Sequence, residues 1–301
     1  MRVLVTGGSG FIGKNIIKQC KEMEFETVTF DTKANLDADT HLMGSVLDFN
    51  LLNKSMNGCD YVFHLAATTS PPQFEEPGNN GYEVNVLGTY NVLEAAFENK
   101  VKRVVLASSS AVYGNMSESA DENNLPVTYN NAYPVTKIIN EITARFFTSS
   151  SRVETVALRY FNTYGIGEDT KSQYASVIWR FVKALQIGQV PEIYGDGKQS
   201  RDFIYVDDTA RASILAMEHG IPGEAYNIGT GVTTTFNDIF KIVKEEMHST
   251  VEPRYVPNPL KNYQYFTQAN ITKAKKDLGF EPRFDLRSGV RKMTENDLRS
   301  I

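Results

Sequence analysis

The chain has few of the features that mark several common classes of protein. Among its 301 residues only Cys20 and Cys59 are cysteines, too few for a disulfide framework, and the simplest expectation is reduced thiols in a cytoplasm. No apolar stretch approaches the roughly 18 residues that a membrane span needs. The first residues do not form a charged leader with an apolar run and cleavage site, because residues 2–5 are predicted to be a strand. We therefore expect a cytoplasmic protein that is not embedded in a membrane.

The chain also lacks an excess of positive charge. It carries 31 Lys and Arg residues against 36 Asp and Glu residues, so the net charge is −5. No general basic surface is therefore expected, and nucleic acid and anionic membrane surfaces are not predicted partners. An anionic ligand would have to be held by a few well-placed cations. No metal site is predicted either.

What the chain does have is a regular alternation of apolar strand and helix patterns. Strands are predicted over residues 2–5, 27–30, 60–67, 101–109 and 154–162, and helices over residues 11–23, 49–57, 82–99 and 135–148. Such an order predicts parallel β-α-β units that are covered by helices on both faces. The expected fold is α/β, with a doubly wound parallel sheet.

The alternation weakens after about residue 165. Helices are predicted over 174–187, 207–218 and 235–247, whereas 251–269 looks irregular. We predict a nucleotide-binding domain over residues 1–165, to which about 207–230 return. Residues 166–301 should form mainly a smaller substrate-binding lobe. No flexible linker separates the two, so a cleft between them is expected.

A glycine-rich turn follows the first strand. Gly7, Gly10 and Gly13 have the spacing G-x-x-G-x-x-G between a strand and a helix, which allows a tight turn and close approach of a pyrophosphate to the helix N-terminus. Asp31 lies at the end of the next strand, where a carboxylate accepts hydrogen bonds from ribose hydroxyls and repels a 2′-phosphate. This pattern favours NAD, although the nearby Lys33 keeps NADP as an alternative.

A tyrosine and a lysine one helical turn apart could carry proton transfer. Tyr133 and Lys137 are at positions i and i+4 and share a helix face. A neighbouring ammonium and the positive nicotinamide of NAD⁺ would favour the phenolate, which could remove a proton from a hydroxyl as hydride leaves its carbon. Upstream, a strand ends in the hydroxyls of residues 108–110. One of them could hydrogen-bond the reacting oxygen, or these serines could simply cap their own turn.

Together these residues strongly resemble the extended short-chain dehydrogenase/reductases, and within them the nucleotide-sugar epimerases typified by UDP-glucose 4-epimerase. The resemblance covers most of the chain in the family's order. The matching segments are TGGSGFIG (6–13), Asp31, Asp48, FHLAA (63–67), YEVNVLGTYNVLEAA (82–96), VKRVVLASSSAVYG (101–114), YPVTK (133–137), LRYFNTYG (158–165), SRDFIYVDD (200–208) and YNIGTG (226–231).

The resemblance implies a Rossmann-type fold, NAD as cofactor and a catalytic set. Tyr133 would be the catalytic acid/base, Lys137 its pKa partner and nicotinamide-ribose ligand, and Ser109 the catalytic hydroxyl. Residues implied to lie along the cofactor are Gly7, Gly10, Phe11, Ile12, Gly13, Asp31, Thr32, Lys33, Asp48, Phe49, Leu65, Ala66, Ala67, Thr69, Asn85, Ser108, Tyr133, Lys137 and Phe161.

Within that set, the resemblance gives several residues particular neighbours. Phe11 and Ile12 would cover the pyrophosphate, and Asp48 with Phe49 would meet the adenine. Asn85 would hydrogen-bond in the core beneath the cofactor. Phe161 would lie near the nicotinamide.

The resemblance also implies a substrate-binding set. It contains Ser109, Ser110, Tyr133, Asn162, Tyr194 and Arg201. Arg201 would bind the substrate's phosphates, with Asn162 near the sugar diphosphate, although an ordinary surface arginine is the alternative. Tyr194 would approach the nucleotide base or serve in packing.

Two departures from the family pattern bear on the reaction. After the catalytic serine, 4,6-dehydratases carry an Asp-Glu pair and decarboxylases a glutamate, whereas this chain has Ser110-Ala111. The usual epimerase arginine and aspartate near the C-terminus are not evident. The segment YQYFTQAN (263–270) instead resembles ADP-heptose 6-epimerases, and Lys261 could replace the missing cation or be solvated.

The sequence therefore predicts an NAD-dependent epimerase of a nucleotide-diphosphate sugar, of the UDP-glucose/UDP-galactose 4-epimerase type, acting through a 4-keto intermediate. The alternatives are an ADP-heptose 6-epimerase, a 4-ketosugar reductase or dehydrogenase, and a non-catalytic NAD-binding regulator. The helix predicted over 82–97 and the one after Tyr133 are apolar over much of their circumference. One face of each could pack on the sheet and the other on a partner subunit. The resemblance implies a homodimer formed through these helices, unless both faces are buried within one chain.

Overall fold

Seven parallel strands form the central sheet of the protein. The computed structural model describes residues 1–34, 37–69, 74, 80–126, 128–259 and 263–297. The strands are β1 (Arg2–Thr6), β2 (Glu26–Asp31), β3 (Thr40–Met43), β4 (Tyr61–His64), β5 (Arg103–Ser109), β6 (Glu154–Tyr160), β7 (Asn162–Tyr164), β8 (Glu192–Tyr194), β9 (Ser200–Tyr205), β10 (Ala225–Ile228), β11 (Thr233–Thr235) and β12 (Arg254–Val256). The helices are α1 (Phe11–Glu22), α2 (Phe49–Ser55), α3 (Gly88–Glu98), α4 (Ala132–Ser149), α5 (Val177–Gln186), α6 (Val206–His219), α7 (Phe236–Glu246), α8 (Thr272–Leu278) and α9 (Leu286–Asp297).

The order of strands in the central sheet is β10-β6-β5-β4-β1-β2-β3. Every neighbouring pair is parallel, so the predicted doubly wound, Rossmann-type α/β fold is confirmed. The order reverses between β1 and β4. In open parallel sheets, ligands bind beyond the carboxyl ends of the strands at such a reversal. The topology therefore places a binding crevice where Thr6 and His64 end their strands.

Side chains that point alternately to the two faces of the sheet form a hydrophobic core on each face. Val3 and Val5 pack with Ile16 of α1 on one face, and Leu4 packs with Leu52 of α2 on the other. Side chains of a strand point alternately to opposite faces, and a sheet covered on both sides needs apolar residues at both positions. This requirement explains the continuous apolar run VLV at residues 3–5.

Two small sheets lie outside the central one. One has the order β11-β9-β7 and the other pairs β12 with β8. Helices α5, α7 and α9 pack beside them through Phe181, Phe240 and Val290. Strand β10 comes late in the chain yet pairs with β6 in the central sheet. The limits of the two predicted domains, 1–165 with 207–230 and 166–301, stay a prediction.

Some elements differ from the sequence patterns. β3 was not predicted, because its sequence THLM is only partly buried at the sheet edge. The strand predicted over 154–162 ends at Tyr160, and β7 starts at Asn162 in another sheet. Helix α4 begins three residues earlier than predicted, since Pro134 is tolerated in the first turn of a helix.

Both cysteines are buried and free. Burial raises the pKa of the Cys20 thiol to about 12 and that of Cys59 to about 11, so both thiols stay protonated near neutral pH. Among the described residues, no helix is long and apolar enough to cross a membrane.

Candidate active site

The glycine turn joins β1 to α1 at the point where the strand order reverses. Gly7 has φ +70°, and a Cβ there would lie 2.6 Å from the Ala66 backbone nitrogen. A Cβ on Gly13 would lie 2.5 Å from the Gly7 carbonyl oxygen. Larger residues at either position would separate the chain from β4 or open the turn. The sequence pattern therefore corresponds to a real steric requirement.

The N-terminus of α1 is open to an anion. Gly10 is the N-cap residue in an extended conformation and offers no side chain to the helix, and the first turn contains no acidic residue. The first N–H groups of a helix have no partner within it and carry a partial positive charge. Phe11 at this position is buried and Ile12 is partly buried. The turn therefore fits the pyrophosphate of a dinucleotide.

Asp31 lies beside this turn, at the end of β2. Its Oδ2 accepts a hydrogen bond from the Ser9 backbone N–H at 2.9 Å, and its Oδ1 accepts one from the Lys33 N–H at 2.9 Å. Ser9 Oγ in turn donates to the Lys33 carbonyl oxygen at 2.7 Å. The carboxylate is thus held in place, and its remaining lone pairs can accept hydrogen bonds from ribose hydroxyls. Thr32 and Lys33 are exposed next to it.

The chain after β4 lines the same crevice. The Leu65 N–H donates to the Thr6 carbonyl oxygen at 3.0 Å, and the Ala66 N–H lies 3.4 Å from Thr6 Oγ1. Ala67 follows partly buried, and Thr69 is exposed. These contacts hold the ends of β1 and β4 side by side, as a shared cofactor crevice requires.

Asp48 and Phe49 open helix α2. Asp48 is the N-cap, and its Oδ1 accepts a hydrogen bond from the Leu51 N–H at 3.1 Å. The side chain therefore has a local role in the helix start, and its contact with adenine stays a prediction.

Asn85 ties the β4 loop to helix α4. Its Oδ1 accepts from the Thr68 N–H at 2.8 Å, and its Nδ2 donates to the Thr68 carbonyl oxygen and to Thr136 Oγ1, both at 3.0 Å. Asn85 is fully buried within a π-helical turn, Glu83–Leu87, that precedes α3. The continuous helix predicted over 82–99 therefore contains a wide turn, a feature that often occurs at functional sites.

Ser109, Tyr133 and Lys137 meet at the end of β5. Lys137 Nζ lies 5.8 Å from the centroid of the Tyr133 ring and donates to the Ala107 carbonyl oxygen at 2.8 Å. Tyr133 is in the first turn of α4, and a hydrogen bond joins it to Ser109. Ser110 begins the short 3-10 helix that follows β5. The structure thus brings together the three residues that the sequence analysis placed in catalysis.

Burial controls the protonation of this set. It lowers the pKa of Lys137 to about 8, against the opposing effect of the Glu141 carboxylate. Burial also raises the pKa of the Tyr133 phenol above its usual 10, which the hydrogen bond from Ser109 opposes. The phenol is therefore neutral at pH 7 in the protein alone. A positive charge beside it would favour the phenolate.

A buried ion pair behind the catalytic set was not found from the sequence. Arg159 Nη2 and Nε donate to the two Glu141 carboxylate oxygens at 2.7 and 3.0 Å. Ser108 Oγ donates to the same carboxylate, so this hydroxyl, predicted to lie along the cofactor, is bonded to Glu141. The spacing of Lys137 and Glu141 by one helical turn was a visible signal. The partner Arg159 on β6 was not, because only the tertiary structure brings it there.

On the substrate side, Arg201 lies between two aromatic rings. Its guanidinium carbon is 5.3 Å from the Tyr263 ring centroid and 5.8 Å from that of Phe236, and Nη1 donates to the Ser200 carbonyl oxygen at 2.8 Å. Only 7% of Arg201 is exposed. Burial lowers the pKa of this guanidinium, which Tyr263 opposes. Arg201 is thus a held, partly desolvated cation rather than an ordinary surface arginine.

Asp202 organises the strands around Arg201, and the sequence analysis did not assign it a role. Its carboxylate accepts hydrogen bonds from the Thr230 N–H at 2.8 Å, Thr230 Oγ1 at 2.6 Å, the Gly231 N–H at 2.9 Å and the Ala269 N–H at 3.0 Å. Asn162 Nδ2 donates nearby, to the Asp202 carbonyl oxygen at 3.1 Å. The residue after Arg201 therefore fixes the irregular segment 263–270 against β9.

The remaining predicted residues lie at the margins of this region. Tyr194 lines a cavity of about 530 Å³ together with Arg180 and Arg254. Phe161 is buried, and its ring centroid lies 6.3 Å from that of Tyr113. Lys261 lies outside the described residues.

Comparison with known proteins identifies the family. The sequence profile of the NAD-dependent epimerase/dehydratase family matches residues 3–229. The chain belongs to this family. The resemblance to extended short-chain dehydrogenase/reductases is confirmed, and so are an enzyme of this type and NAD as its cofactor.

Individual relatives match over nearly the whole chain. A protein of Methanocaldococcus jannaschii named "Putative UDP-glucose 4-epimerase" is 33% identical over 97% of this chain and 96% of its own length. The UDP-N-acetylglucosamine 4-epimerase of Methanobrevibacter ruminantium, solved with UDP-N-acetylmuramic acid, has a TM-score of 0.92 and 30% identity, covering 100% of this chain and 99% of that one. The UDP-glucose 4-epimerase of Thermotoga maritima, solved with UDP-glucose, has a TM-score of 0.92 and 32% identity over 100% and 99% of the two chains.

Other relatives at 27–31% identity are named as decarboxylases, a dehydratase or a heptose 6-epimerase. Sequence identity alone therefore does not select the reaction or the substrate. The side chains of the candidate site have to do so.

Proposed function

We propose that the protein inverts C4 of the sugar in a nucleotide-diphosphate sugar, in the manner of UDP-glucose 4-epimerases. The observation that carries this proposal is a single proton-transfer set, formed by Ser109, Tyr133 and Lys137. The two residues directly after Ser109 are Ser110 and Ala111. Reversible oxidation of an alcohol needs one such set. The family's dehydratases carry an Asp-Glu pair after this serine and its decarboxylases a glutamate, whereas this chain has a hydroxyl and a methyl group there.

In this mechanism Tyr133 accepts the proton of the C4 hydroxyl, and Ser109 hydrogen-bonds the same oxygen. Lys137 remains close to the phenol and favours its anionic form through its positive charge. The glycine turn and Asp31 would hold NAD, which would supply a reversible acceptor for the C4 hydride. Tyr133 then gives the proton back to the oxygen of the inverted centre.

Arg201 is proposed to hold the diphosphate while the 4-keto sugar rotates within the site. Its guanidinium is fixed between two rings, and it can still donate hydrogen bonds to phosphate oxygens. Asn162 and Tyr194 are proposed to lie along the same nucleotide. An intermediate that is anchored at one end stays close enough for hydride return.

The test is to incubate the purified enzyme with UDP-, GDP-, ADP- and TDP-sugars and to read the products by NMR. A substrate deuterated at C4 should give its epimer with the label retained at C4, and NADH should not accumulate. Loss of label to water would contradict this mechanism. Stoichiometric NADH, or turnover that requires added NADH, would show a dehydrogenase or reductase instead.

A second candidate is inversion at C6 of an ADP-heptose. The segment 263–270, which resembles heptose epimerases, lies against the loop that follows the catalytic strand. The Ala120 N–H donates to the Gln268 carbonyl oxygen at 2.8 Å, and Gln264 Nε2 donates to the Gly114 carbonyl oxygen at 2.8 Å. This segment therefore lies against the loop that follows Ser109, where the sugar is proposed to react. Inversion at C6 in the same substrate panel would select this reaction.

We also propose a homodimer, in which α3 and α4 pack against a second copy. The two helices and the π-helical turn just before α3 present exposed apolar side chains: Leu87, Tyr90, Phe97, Ile142 and Phe146. The exposed fractions of Ile142 and Phe146 are 65% and 56%, a large apolar surface for one face. Sedimentation should show a dimer that Ile142→Glu with Phe146→Glu converts to a folded monomer. A monomeric unaltered protein would contradict the proposal.

The two free thiols fit such an enzyme in a reducing cytoplasm.

A further inference from the structure

Lys171 joins the substrate side of the molecule to the glycine turn. It lies in the short 3-10 helix Glu168–Tyr174, which precedes α5. Its Nζ is 4.2 Å from the centroid of the Phe11 ring. The same ammonium donates to the Thr163 carbonyl oxygen and to Glu168 Oε1, both at 3.1 Å.

Glu168 fixes the position of this ammonium. The carboxylate is fully buried, and it also accepts hydrogen bonds from the Ser176 N–H at 2.7 Å and from Ser176 Oγ at 2.9 Å. Burial lowers the pKa of Lys171, and the charge of Glu168 opposes this effect. About 30% of the Lys171 side chain remains exposed. The ammonium is thus held in one place while part of the side chain stays exposed to solvent.

The partner ring is at the start of α1. Phe11 is the first residue of that helix, directly after the glycine turn, and it is only 5% exposed. A cation over the face of an aromatic ring is attracted by the ring's quadrupole, more strongly when water is excluded. The ring at the start of α1 is therefore covered by a positive charge from the segment that precedes α5.

We propose that Lys171 is a positioning residue for NAD, which holds the Phe11 ring over the glycine turn, adds positive charge beside the pyrophosphate and slows release of the cofactor. The inference rests on the proposed binding of pyrophosphate at the α1 N-terminus. An epimerase returns the hydride to its own substrate, so slow cofactor release keeps the oxidised sugar and the reduced cofactor together. Lys171 provides this retention from the segment between β7 and α5.

The experiment measures the rate of NAD release by dilution of the loaded protein into excess unlabelled NAD, without any sugar nucleotide. Lys171→Met should accelerate release by about three- to thirtyfold, the range of a single cation–π contact. Lys171→Arg should keep release within about twofold of the unaltered protein, since a guanidinium also binds a ring face. The matched control is Lys14→Met, which removes an exposed lysine of α1 beside Phe11 without removing the Phe11 contact.

A double-mutant cycle with Phe11→Leu separates the ring contact from a general effect of charge. The effect of Lys171→Met should shrink in the Phe11→Leu background, because the contact is already lost. Unchanged release from Lys171→Met, equally fast release from Lys171→Arg, or full additivity in the cycle would each overturn the proposal. Melting of the NAD-free variants shows whether the loop around Glu168 is still folded. NAD release is measured without substrate, so a failure of the proposed epimerase reaction would leave this result intact.

Discussion

The cofactor side and the substrate side of the crevice are built in different ways. On the cofactor side, Gly7, Gly13 and Asp31 follow from two consecutive strands and the turn between them. On the substrate side, Arg201 is followed in β9 by Asp202, whose carboxylate binds partners from residues 230–231 and 269. Regular β-α-β geometry places the first group, whereas buried side-chain hydrogen bonds place the second. The cofactor side should therefore tolerate loss of single side chains better than the substrate side.

The catalytic set lies between the two and has the largest expected effect. Tyr133→Phe should lower turnover by about 10²–10⁴-fold, because it removes the proton acceptor and little packing. NAD content should remain normal, since the cofactor side does not depend on this hydroxyl. Turnover and bound NAD are measured on the same preparation. Tyr129→Phe is the matched control, as its hydroxyl donates to the Val112 carbonyl oxygen. Near-normal turnover of the Tyr133 variant would remove it from this role.

The next prediction tests whether one carboxylate supports the substrate side. Asp202→Ala should lower the free energy of unfolding by about 3 kcal/mol, because it leaves several buried N–H donors unpaired. It should also weaken binding of nucleotide sugars. Denaturant unfolding gives the first quantity and calorimetry the second. Asp196→Ala, at a nearby exposed turn, should change neither. Normal stability of the Asp202 variant would show that this carboxylate does not support the substrate side.

A smaller effect is expected from the cation itself. Arg201→Ala should raise the dissociation constant of a nucleoside diphosphate by about ten- to hundredfold, the range for a charge-assisted hydrogen bond. NAD binding should stay unchanged, which separates the two sides of the crevice. Calorimetry with UDP, ADP, GDP and TDP measures the change. Lys198→Ala removes an exposed positive charge just before β9 and serves as the control. Equal affinity in both variants would return Arg201 to a structural role.

On the cofactor side, Asp31 should set the choice between dinucleotides. Asp31→Ala should weaken NAD⁺ binding by about tenfold, in keeping with loss of hydrogen bonds to a charged acceptor. It should also narrow the preference over NADP⁺, because the repulsion of a 2′-phosphate is removed. Calorimetry with both dinucleotides gives the ratio. Tighter binding of NADP⁺ by the unaltered protein would show that Lys33 or another cation dominates.

The smallest prediction concerns pH. The pKa of Lys137 is about 8, and the Glu141 carboxylate holds it up against burial. Activity that needs the ammonium should fall as the pH rises through this pKa. Glu141→Gln removes the supporting charge, lowers the pKa of Lys137 and should move the alkaline limb of the activity profile to lower pH. Ser108→Ala removes a hydrogen bond to the same carboxylate without removing its charge. The alkaline limb of the activity profile of this variant should therefore stay at the same pH. A limb that does not move in the Glu141 variant would contradict this assignment.

Much of the fold could be predicted because its signals are local. The alternation of apolar strands and helices predicted the parallel sheet, and the spacing of Tyr133 and Lys137 predicted a shared helix face. β3 was missed because THLM lies partly buried at the sheet edge and carries little apolar pattern. The π-helical turn at Asn85 was missed because its hydrogen bonds go to Thr68 and Thr136, far along the chain.

The sequence by itself determined the glycine turn, Asp31, the order of strands and helices, and the residues that resemble the family's catalytic set. These features depend on backbone geometry over a few residues, so their spacing is visible in one chain. Only the tertiary structure decided the pairing of Glu141 with Arg159, the hydrogen bonds to Asp202 and the contact of Lys171 with Phe11. Each of these joins residues from separate elements, and their partners become neighbours only when the sheets and helices have packed.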